Sequence, residues 1–307
     1  MKQKLEQTQK SPTQLGKMNI TNVMLWMTKN GYEETTVRKV AKLLRNLERS
    51  CDTSDPEAVK LHIGKRKVSN GHKQNLIEAY TCFVKSVDAK WQQPFYPRYS
   101  KKRKAPKEEL VDFLINHARI EMSVKLSMSK DLGTRPIELT WLKLRDIDLA
   151  TGIVSITGAK HTIGREGKLR TKSLELLKTY IINKRLGAND SLFKTTSENF
   201  GNNYRHCRNL IAKKYDKPEL KQIQLYDFRR FSGSKAYHQT KSLLFVKQML
   251  GHKHANQTEH YISLFDEASS TWIPVVCRTK EEIEQAIKDD CILVCQADGI
   301  TYFKKPA

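Results

Sequence analysis

The chain has 307 residues, of which 38% are hydrophobic and 29% are charged, and its formal net charge is +22. This length allows two domains, and the composition excludes a chain that is disordered throughout. No apolar run approaches the ~18 residues that a membrane span requires, and the polar residues 1–14 lack the apolar stretch of a signal peptide. We therefore expect a cytoplasmic protein without a membrane partner.

The positive charge is spread over residues 1–107 and 108–267, whereas residues 268–307 are slightly acidic. An excess of Lys and Arg in both large segments indicates a polyanionic partner that touches both, and nucleic acid is the natural candidate. A generic basic surface would give the same total charge, so charge alone does not decide. The six cysteines form no CxxC pair and have no His at zinc-finger spacing, so we expect no structural metal.

Helical spacing of apolar residues begins near Asn19 and predicts about four short helices in residues 16–100, after a flexible polar tail at residues 1–15. A basic cluster separates the last two helices, and a basic segment after several prolines predicts a linker over residues 101–107. This linker is either a strap along phosphate groups or a plain solvated connection. The candidate nucleic-acid contacts here are Lys65, Arg66, Lys67, Lys101, Lys102, Arg103 and Lys104.

Residues 108–267 predict a second domain that combines helices with a small sheet. The segment EELVDFLINHARIEMSVKLSMS predicts one long helix, and a shorter helix follows at about residues 135–144. RDIDLATGIVSITGAKHTIGREGKLRTKS predicts a small antiparallel sheet, with a turn at Thr151-Gly152. Further helices are expected near residues 173–186, 197–214, 227–238 and 241–250. The predicted fold class is mainly α with a small antiparallel β-sheet (α+β).

Residues 268–307 predict a C-terminal extension in which the helix TKEEIEQAIKDD lies between the strands WIPVVC and CILVCQ. Two roles stay open for it. It regulates assembly in trans, or it caps its own domain.

Four short motifs follow one another in the second domain. GTRPIELTWL contains Arg135 and Glu138, and QLYDFRRF contains Arg229. MLGHKH places His252 23 residues after Arg229, and QTEHYISL places Tyr261 nine residues after His252. In these motifs the chain resembles the tyrosine recombinase family, which includes phage integrases and Xer-type recombinases.

The resemblance covers about residues 107–265. For residues 16–100 it rests only on a helical and basic character, which would correspond to the DNA-binding (core-binding) domain of the family. It implies an enzyme that cleaves and rejoins double-stranded DNA through a 3′-phosphotyrosyl intermediate, without a metal, ATP or another cofactor. It also implies a homo-tetramer on paired DNA sites, a monomer or dimer without DNA, and a location beside the chromosome.

The residue types suit this chemistry. The anionic oxygens of a phosphodiester repel nucleophiles, so their charge must be neutralised as the transition state forms. The resemblance implies that Arg135, Arg229 and His252 surround the scissile phosphate. It implies that Tyr261 is the nucleophile and that Lys160, in the turn of the small sheet, protonates the departing 5′ oxygen. Lys168 and Arg165 compete with Lys160 for that role.

One position departs from the family. Tyr226 stands where most members have His, as in some archaeal integrases. A phenol is a poorer base than imidazole near neutral pH, so we expect Tyr226 to position the phosphate. Glu138 is expected to be a supporting residue that offsets the repulsion between two arginines.

Several functional alternatives remain open. Tyr226, which some archaeal integrases share, favours integration and excision of a mobile element. Xer-type resolution of chromosome dimers is the alternative. A tyrosine-type topoisomerase and a catalytically silent DNA-binding relative are also compatible with parts of the pattern. A metal-dependent integrase would need three carboxylates, and the candidates for these are Asp112, Asp131 and Asp146.

Overall fold

The computed structural model describes residues 15–98, 104–159, 162–259, 272–289, 291–297 and 299–306. The chain folds as two compact units, residues 1–101 and residues 102–307. The described part of the first unit contains only helices and loops, and the second combines helices with two small antiparallel sheets. The predicted fold class is confirmed. Within the described ranges, no helix is both long enough and apolar enough to cross a membrane.

The first unit is a bundle of four helices, as the apolar spacing predicts. They are α1 (Ile20–Lys29), α2 (Glu34–Glu48), α3 (Pro56–Lys65) and α4 (Asn70–Ser86). The side chains of Asn19, Asp55 and Ser69 accept hydrogen bonds from backbone N–H groups in the first turns of α1, α3 and α4. These caps satisfy donors that a helix start leaves open, so the local sequence fixes where three of the helices begin.

Helix α2 separates an apolar face from a basic one. Its buried residues are Val37, Val40, Ala41, Leu44 and Leu47. Its exposed basic residues, with Arg49 directly after the helix, are Arg38, Lys39, Lys42, Arg45 and Arg49. Burial of the apolar face joins α2 to the core of the bundle, and the opposite face presents a dense positive charge to solvent.

The second unit surrounds helix α6. Its helices are α5 (Glu108–His117), α6 (Ile120–Leu132), α7 (Pro136–Trp141), α8 (Thr171–Lys184), α9 (Ser197–Lys214), α10 (Asp227–Thr240), α11 (Leu243–Leu250) and α12 (Asn256–Glu259). Strands β1 (Ile153–Ile156) and β2 (Arg165–Lys168) pair antiparallel, with Ile156 opposite Arg165. Nearly every residue of α6 is buried, and α6 packs against α5, α8 and α10. This position carries the segment that follows α6 into the middle of the unit.

The single helix predicted over residues 108–129 is wrong. The chain forms α5 and α6, and Ala118 and Arg119 between them are extended. Neither glycine nor proline marks the break. The hydroxyl of Ser123 donates to the carbonyl of Ile115 and lies 3.3 Å from that of Ala118. A side chain one turn into α6 thus satisfies carbonyls that the end of α5 leaves open.

The C-terminal extension has one strand more than predicted. It contains β3 (Trp272–Cys277), α13 (Lys280–Lys288), β4 (Ile292–Ala297) and β5 (Ile300–Pro306). The strand order is β3-β5-β4, and β5 runs antiparallel to both neighbours. The two predicted strands therefore share a sheet without pairing to each other. The third strand follows Gly299, whose φ of 76° permits the turn before it.

Candidate active site

The first motif lies where α6 ends and α7 begins. Gly133 closes α6 in the left-handed conformation with a φ of 58°, and Arg135 precedes Pro136, the first residue of α7. The carboxylate of Glu138 accepts the backbone N–H of Arg135 at 2.9 Å and the Nη1 of the same residue at 2.8 Å. The three-residue spacing of Arg135 and Glu138 is therefore a capping contact that also fixes the direction of the arginine.

Glu138 is one buried carboxylate opposite three guanidinium groups. Besides Arg135, it accepts a hydrogen bond from Nη2 of Arg165 at 2.9 Å and lies 3.8 Å from Nη1 of Arg229. Burial alone would raise the pKa of Glu138, but the hydrogen bond and charge of Arg165, with Arg135 and Arg229, lower this pKa below its ordinary value. Glu138 is therefore ionised, and the four groups together carry two net positive charges.

Arg229 lies on the first turn of α10 and is fully buried. Its Nη1 donates to the carbonyl of Gly133 at 2.5 Å, and its Nη2 donates to the carbonyl of Leu250 at 2.7 Å. These carbonyls belong to the C-terminal ends of α6 and α11, which carry partial negative charge. Two helix ends thus hold this guanidinium in the interior.

His252 is buried beside Arg229. Its Nε2 lies 2.9 Å from Nη2 of Arg229, and its Nδ1 lies 2.9 Å from the hydroxyl of Thr258. An arginine only donates, so Nε2 is the acceptor and Nδ1 carries the proton of the neutral ring. Burial first, and then the charges of Arg229, Arg135 and Arg165, lower the pKa of His252 to about 4. The ring is therefore neutral at neutral pH and orients Arg229.

The glycines of two motifs are required by close approach as well as by backbone conformation. A Cβ on Gly133 would lie 2.8 Å from Cδ2 of Leu250, and one on Gly251 would lie 2.7 Å from the backbone oxygen of Ile163. Gly251 has a φ of 67° and ends α11 directly before His252. Glycine at these two positions lets two helix ends and the β1–β2 hairpin (residues 153–168) meet.

The structure brings together four of the residues singled out from the sequence, Arg135, Glu138, Arg229 and His252. Tyr226 directly precedes α10 and is 40% exposed. Lys160 and Tyr261 lie outside the described residues.

The two arginines of the motifs differ in exposure. The side chain of Arg135 is 15% exposed, whereas that of Arg229 is fully buried and donates to the carbonyls of Gly133 and Leu250 and to His252. In this structure the Nε2 of His252 accepts from Arg229. The expectation that Arg135, Arg229 and His252 surround the scissile phosphate stays a prediction.

Arg165 is the member of this cluster that the sequence motifs do not indicate. The sequence suggests it only as a competitor of Lys160, whereas its side chain is 6% exposed and contacts Glu138. A usable signal is present. Ile156 must face the core, and Arg165 is its partner across the antiparallel pair, so both side chains point to the same face of the hairpin.

The candidate nucleic-acid contacts are only partly described. Lys65 and Lys67 at the end of α3 are exposed, and Arg66 between them donates to Asn46 at 2.6 Å. Lys104 is exposed as well. The linker residues Lys101, Lys102 and Arg103 lie outside the described residues.

The three carboxylates considered for a metal-dependent integrase do not converge. Asp112 pairs with Lys130 at 2.6 Å, and Asp131 pairs with Arg170 at 2.9 Å. Asp146 accepts the backbone N–H of Lys143 in a different turn. In the described part of the chain, no group of three or more His, Cys, Asp or Glu residues could hold a metal ion.

Comparison with known proteins supports the family resemblance. A family model described as the phage integrase family matches residues 105–268. A probable integrase/recombinase protein of Methanocaldococcus jannaschii is 27% identical over 162 residues, which cover 50% of this chain and 49% of that protein. The chain thus spans about half the length of the curated relative that it matches.

Solved structures share the fold. The Tn1549 transposon integrase bound to transposon right end DNA has a TM-score of 0.62 and 14% identity, covering 88% of this chain and 99% of that chain. A lambda integrase dimer bound to a core site has a TM-score of 0.59 and 10% identity, covering 79% of this chain and 75% of that chain. The XerH recombinase bound to its difH substrate has a TM-score of 0.52 and 18% identity, covering 85% of this chain and 99% of that chain.

Proposed function

Because the chain belongs to the phage integrase family, a family of tyrosine recombinases, we propose that it is a site-specific recombinase that cleaves and rejoins double-stranded DNA. The observation that carries this proposal is the cluster of three arginines around one buried carboxylate, with two net positive charges. Burying uncompensated charge is costly unless a ligand completes the site. A phosphodiester that gains negative charge in its transition state is such a ligand.

The residues of the cluster divide the work on the phosphate. Arg135, the partly exposed member, contacts a non-bridging oxygen through its planar fork. Arg229 is buried, so it stabilises the negative charge of the phosphate through its own positive charge. His252 and the ends of two helices hold Arg229 in place. Tyr226 donates its phenolic proton to the phosphate from the start of α10. Each of these groups opposes the repulsion that a nucleophile meets at the phosphorus.

The reaction needs one nucleophile and one acid. The phenolic oxygen of Tyr261 forms a bond to phosphorus and its proton passes to solvent, while the bond from phosphorus to the 5′ oxygen breaks. The departing oxygen takes a proton from the ammonium of Lys160. The 3′-phosphotyrosyl bond keeps the energy of the broken DNA bond, so a 5′ hydroxyl from another strand reverses the step without ATP.

The same chemistry could serve two biological roles. We propose integration and excision of a mobile element, with four protomers on two paired DNA sites. Tyr226 stands where most members of the family have His, as in some archaeal integrases, and this supports integration over Xer-type dimer resolution. Dimer resolution remains the second candidate. Direct repeats or a split tRNA gene in the DNA that flanks the gene would support integration, and a lone resolution site would support the alternative.

Covalent trapping on a nicked suicide substrate tests the chemistry. The intact protein with EDTA present is expected to form a DNA adduct that survives denaturing electrophoresis. The substitution Tyr261→Phe is expected to abolish the adduct, and Arg135→Met is expected to slow its formation about 100-fold or more. Arg145 is exposed on a short 3-10 turn, so Arg145→Met serves as the matched control and should leave the rate unchanged. An adduct that persists in the Tyr261 variant would refute the assignment of the nucleophile, and an adduct that requires a metal would refute the metal-free mechanism.

A further inference from the structure

Arg165 is the one buried cation of the cluster that comes from the β1–β2 hairpin. It begins β2, and its side chain, 6% exposed, crosses to Oε2 of Glu138 at 2.9 Å. On the way it passes Gly251, where an added Cβ would lie 3.2 Å from its Nη1 and 3.3 Å from its Cδ. One side chain therefore touches both the Arg135–Glu138 corner and the turn before His252.

The hairpin is attached to the cluster at two further points, Thr162 and Ile163, before β2 begins. The backbone N–H of Ile163 donates to the carbonyl of Gly251 at 3.2 Å. The hydroxyl of Thr162 accepts from Nη1 of Arg135 at 3.3 Å and donates to the carbonyl of Ala159 at 2.6 Å. In the sequence, Ala159 and Thr162 flank residues 160 and 161, the first of which is Lys160. The described ends of the loop are thus tied to the arginine cluster.

The buried guanidinium of Arg165 costs folding free energy, so stability alone does not explain this residue. Its Nε and Nη1 are buried without a hydrogen-bond partner in the described part of the chain, and burial lowers the pKa of its guanidinium. Unsatisfied buried donors cost free energy, and an apolar side chain of similar size would avoid that cost. Glu138 would still face Arg135 and Arg229 without Arg165. The arrangement favours a role in placing the hairpin.

We propose that Arg165 is a positioning residue that latches the β1–β2 hairpin onto Glu138 and Gly251, so that Lys160 meets the departing 5′ oxygen. This inference rests on the function proposed above. It assigns Arg165 to the leaving-group half of the reaction through Lys160, and not to direct contact with the phosphate. A hairpin fixed in this way holds its acid in place, in contrast to a freely mobile loop.

A substrate with sulfur in place of the bridging 5′ oxygen separates these roles. A thiol has a reference pKa of about 8.5, so the sulfur leaves as a thiolate and needs no proton from Lys160. We compare the single-turnover rate of adduct formation on the oxygen and sulfur substrates for the intact protein, Arg165→Met, Lys160→Met and the control Arg145→Met. Thermal unfolding of each variant accompanies the rates.

For Arg165→Met we expect a loss of about 100-fold on the oxygen substrate and less than about fivefold on the sulfur substrate, with a melting temperature near that of the intact protein. Lys160→Met should show the same pattern, and Arg145→Met should cleave both substrates at the ordinary rate. An equal loss on both substrates for Arg165→Met, no loss on either, or a failure of sulfur to rescue Lys160→Met would overturn the inference. A wild-type protein that forms no adduct on either substrate would instead overturn the proposed function.

Discussion

At the scale of single residues, Glu138 offsets the mutual repulsion of three guanidinium groups, those of Arg165 and Arg229, which are buried, and that of Arg135, which is partly exposed. The substitution Glu138→Gln removes the only carboxylate that faces Arg135, Arg165 and Arg229 among the described residues. Because this leaves buried charges without compensation, we expect the free energy of unfolding to fall by about 3–5 kcal/mol. Urea denaturation measures this change.

The matched control is Glu34→Gln on α2. Glu34 pairs with Arg38, and the two side chains are 77% and 74% exposed, so water screens the pair. We expect a loss of no more than about 0.5 kcal/mol there. Equal losses at Glu34 and Glu138 would contradict a special role for the buried carboxylate.

His252 gives the site a pH dependence of known sign. The pKa of this ring is about 4 in the folded protein and about 6.5 when the chain is unfolded. Above pH ~6.5 both states are neutral, whereas below it the unfolded state binds the proton first, so stability falls as the pH decreases from about 6.5 to about 4. The loss reaches roughly 3 kcal/mol for this residue, by the conversion of about 1.4 kcal/mol per pKa unit.

Measuring unfolding between pH 7 and pH 4 for the intact protein and for His252→Gln isolates this contribution, since the variant should lose less stability over the same range. Titration of the ring by NMR is the independent check. A midpoint for His252 near 6.5 in the folded protein would contradict the buried, neutral assignment.

The chemistry of individual residues is more predictable from the sequence than their surroundings. The order and spacing of the motifs single out Arg135, Glu138, Arg229 and His252, and the structure brings these four side chains together. The burial of Arg229 could not be foreseen, because its acceptors are main-chain carbonyls of α6 and α11, and carbonyls leave no trace in the choice of amino acid. Sequence motifs record side chains, so partners from the backbone remain hidden.

At the scale of elements, the left-handed glycine before His252 joins α11 to the β1–β2 hairpin. In Gly251→Ala the new Cβ would lie 2.7 Å from the carbonyl oxygen of Ile163, a backbone atom that cannot rotate away. We expect a loss of more than about 2 kcal/mol in unfolding free energy, because this clash adds to the cost of about 1 kcal/mol for alanine in that conformation. Adduct formation should slow as well, since the hairpin must move.

Gly31 provides a control with the same conformation and no neighbour. Its φ is 73°, and an added Cβ would have nothing within 4 Å. Gly31→Ala should therefore cost only about 1 kcal/mol and leave adduct formation unchanged. If the two alanine variants lost the same stability, close packing of the hairpin on Gly251 would not contribute.

Helix periodicity predicts most elements because most helices here bury one apolar face. Helix periodicity does not predict the break between α5 and α6, because no glycine or proline marks it. The hydroxyl of Ser123 bonds the carbonyls that the break leaves open. Strand β5 is missing from the sequence prediction for a different reason. Its residues alternate between buried and partly exposed, with Thr301 and Phe303 inside, but the run is short and polar at its end. The first error thus depends on one short-range hydroxyl contact, and the second on a strand that pairs with both β3 and β4.

At the scale of the whole molecule, each unit has its own hydrophobic core, and both units carry an excess of positive charge. The proposed function requires much of this charge to meet DNA phosphates, and each neutralised phosphate releases counterions. The logarithm of the DNA association constant should therefore fall linearly with the logarithm of salt concentration. Binding measured at several salt concentrations gives the slope of this line.

Lys65 and Lys67, the exposed lysines at the end of α3, allow a test of where the charge acts. Their joint replacement by Gln should make the slope shallower by about 1.8, at about 0.9 per lost phosphate contact on duplex DNA, and should weaken binding similarly on specific and unrelated DNA. The matched control replaces Lys280 and Lys288 of α13, in the slightly acidic extension, and should leave the slope unchanged. Equal changes in the two double variants would mean that only the total charge matters, and an unchanged slope in the first would remove α3 from the DNA contact surface.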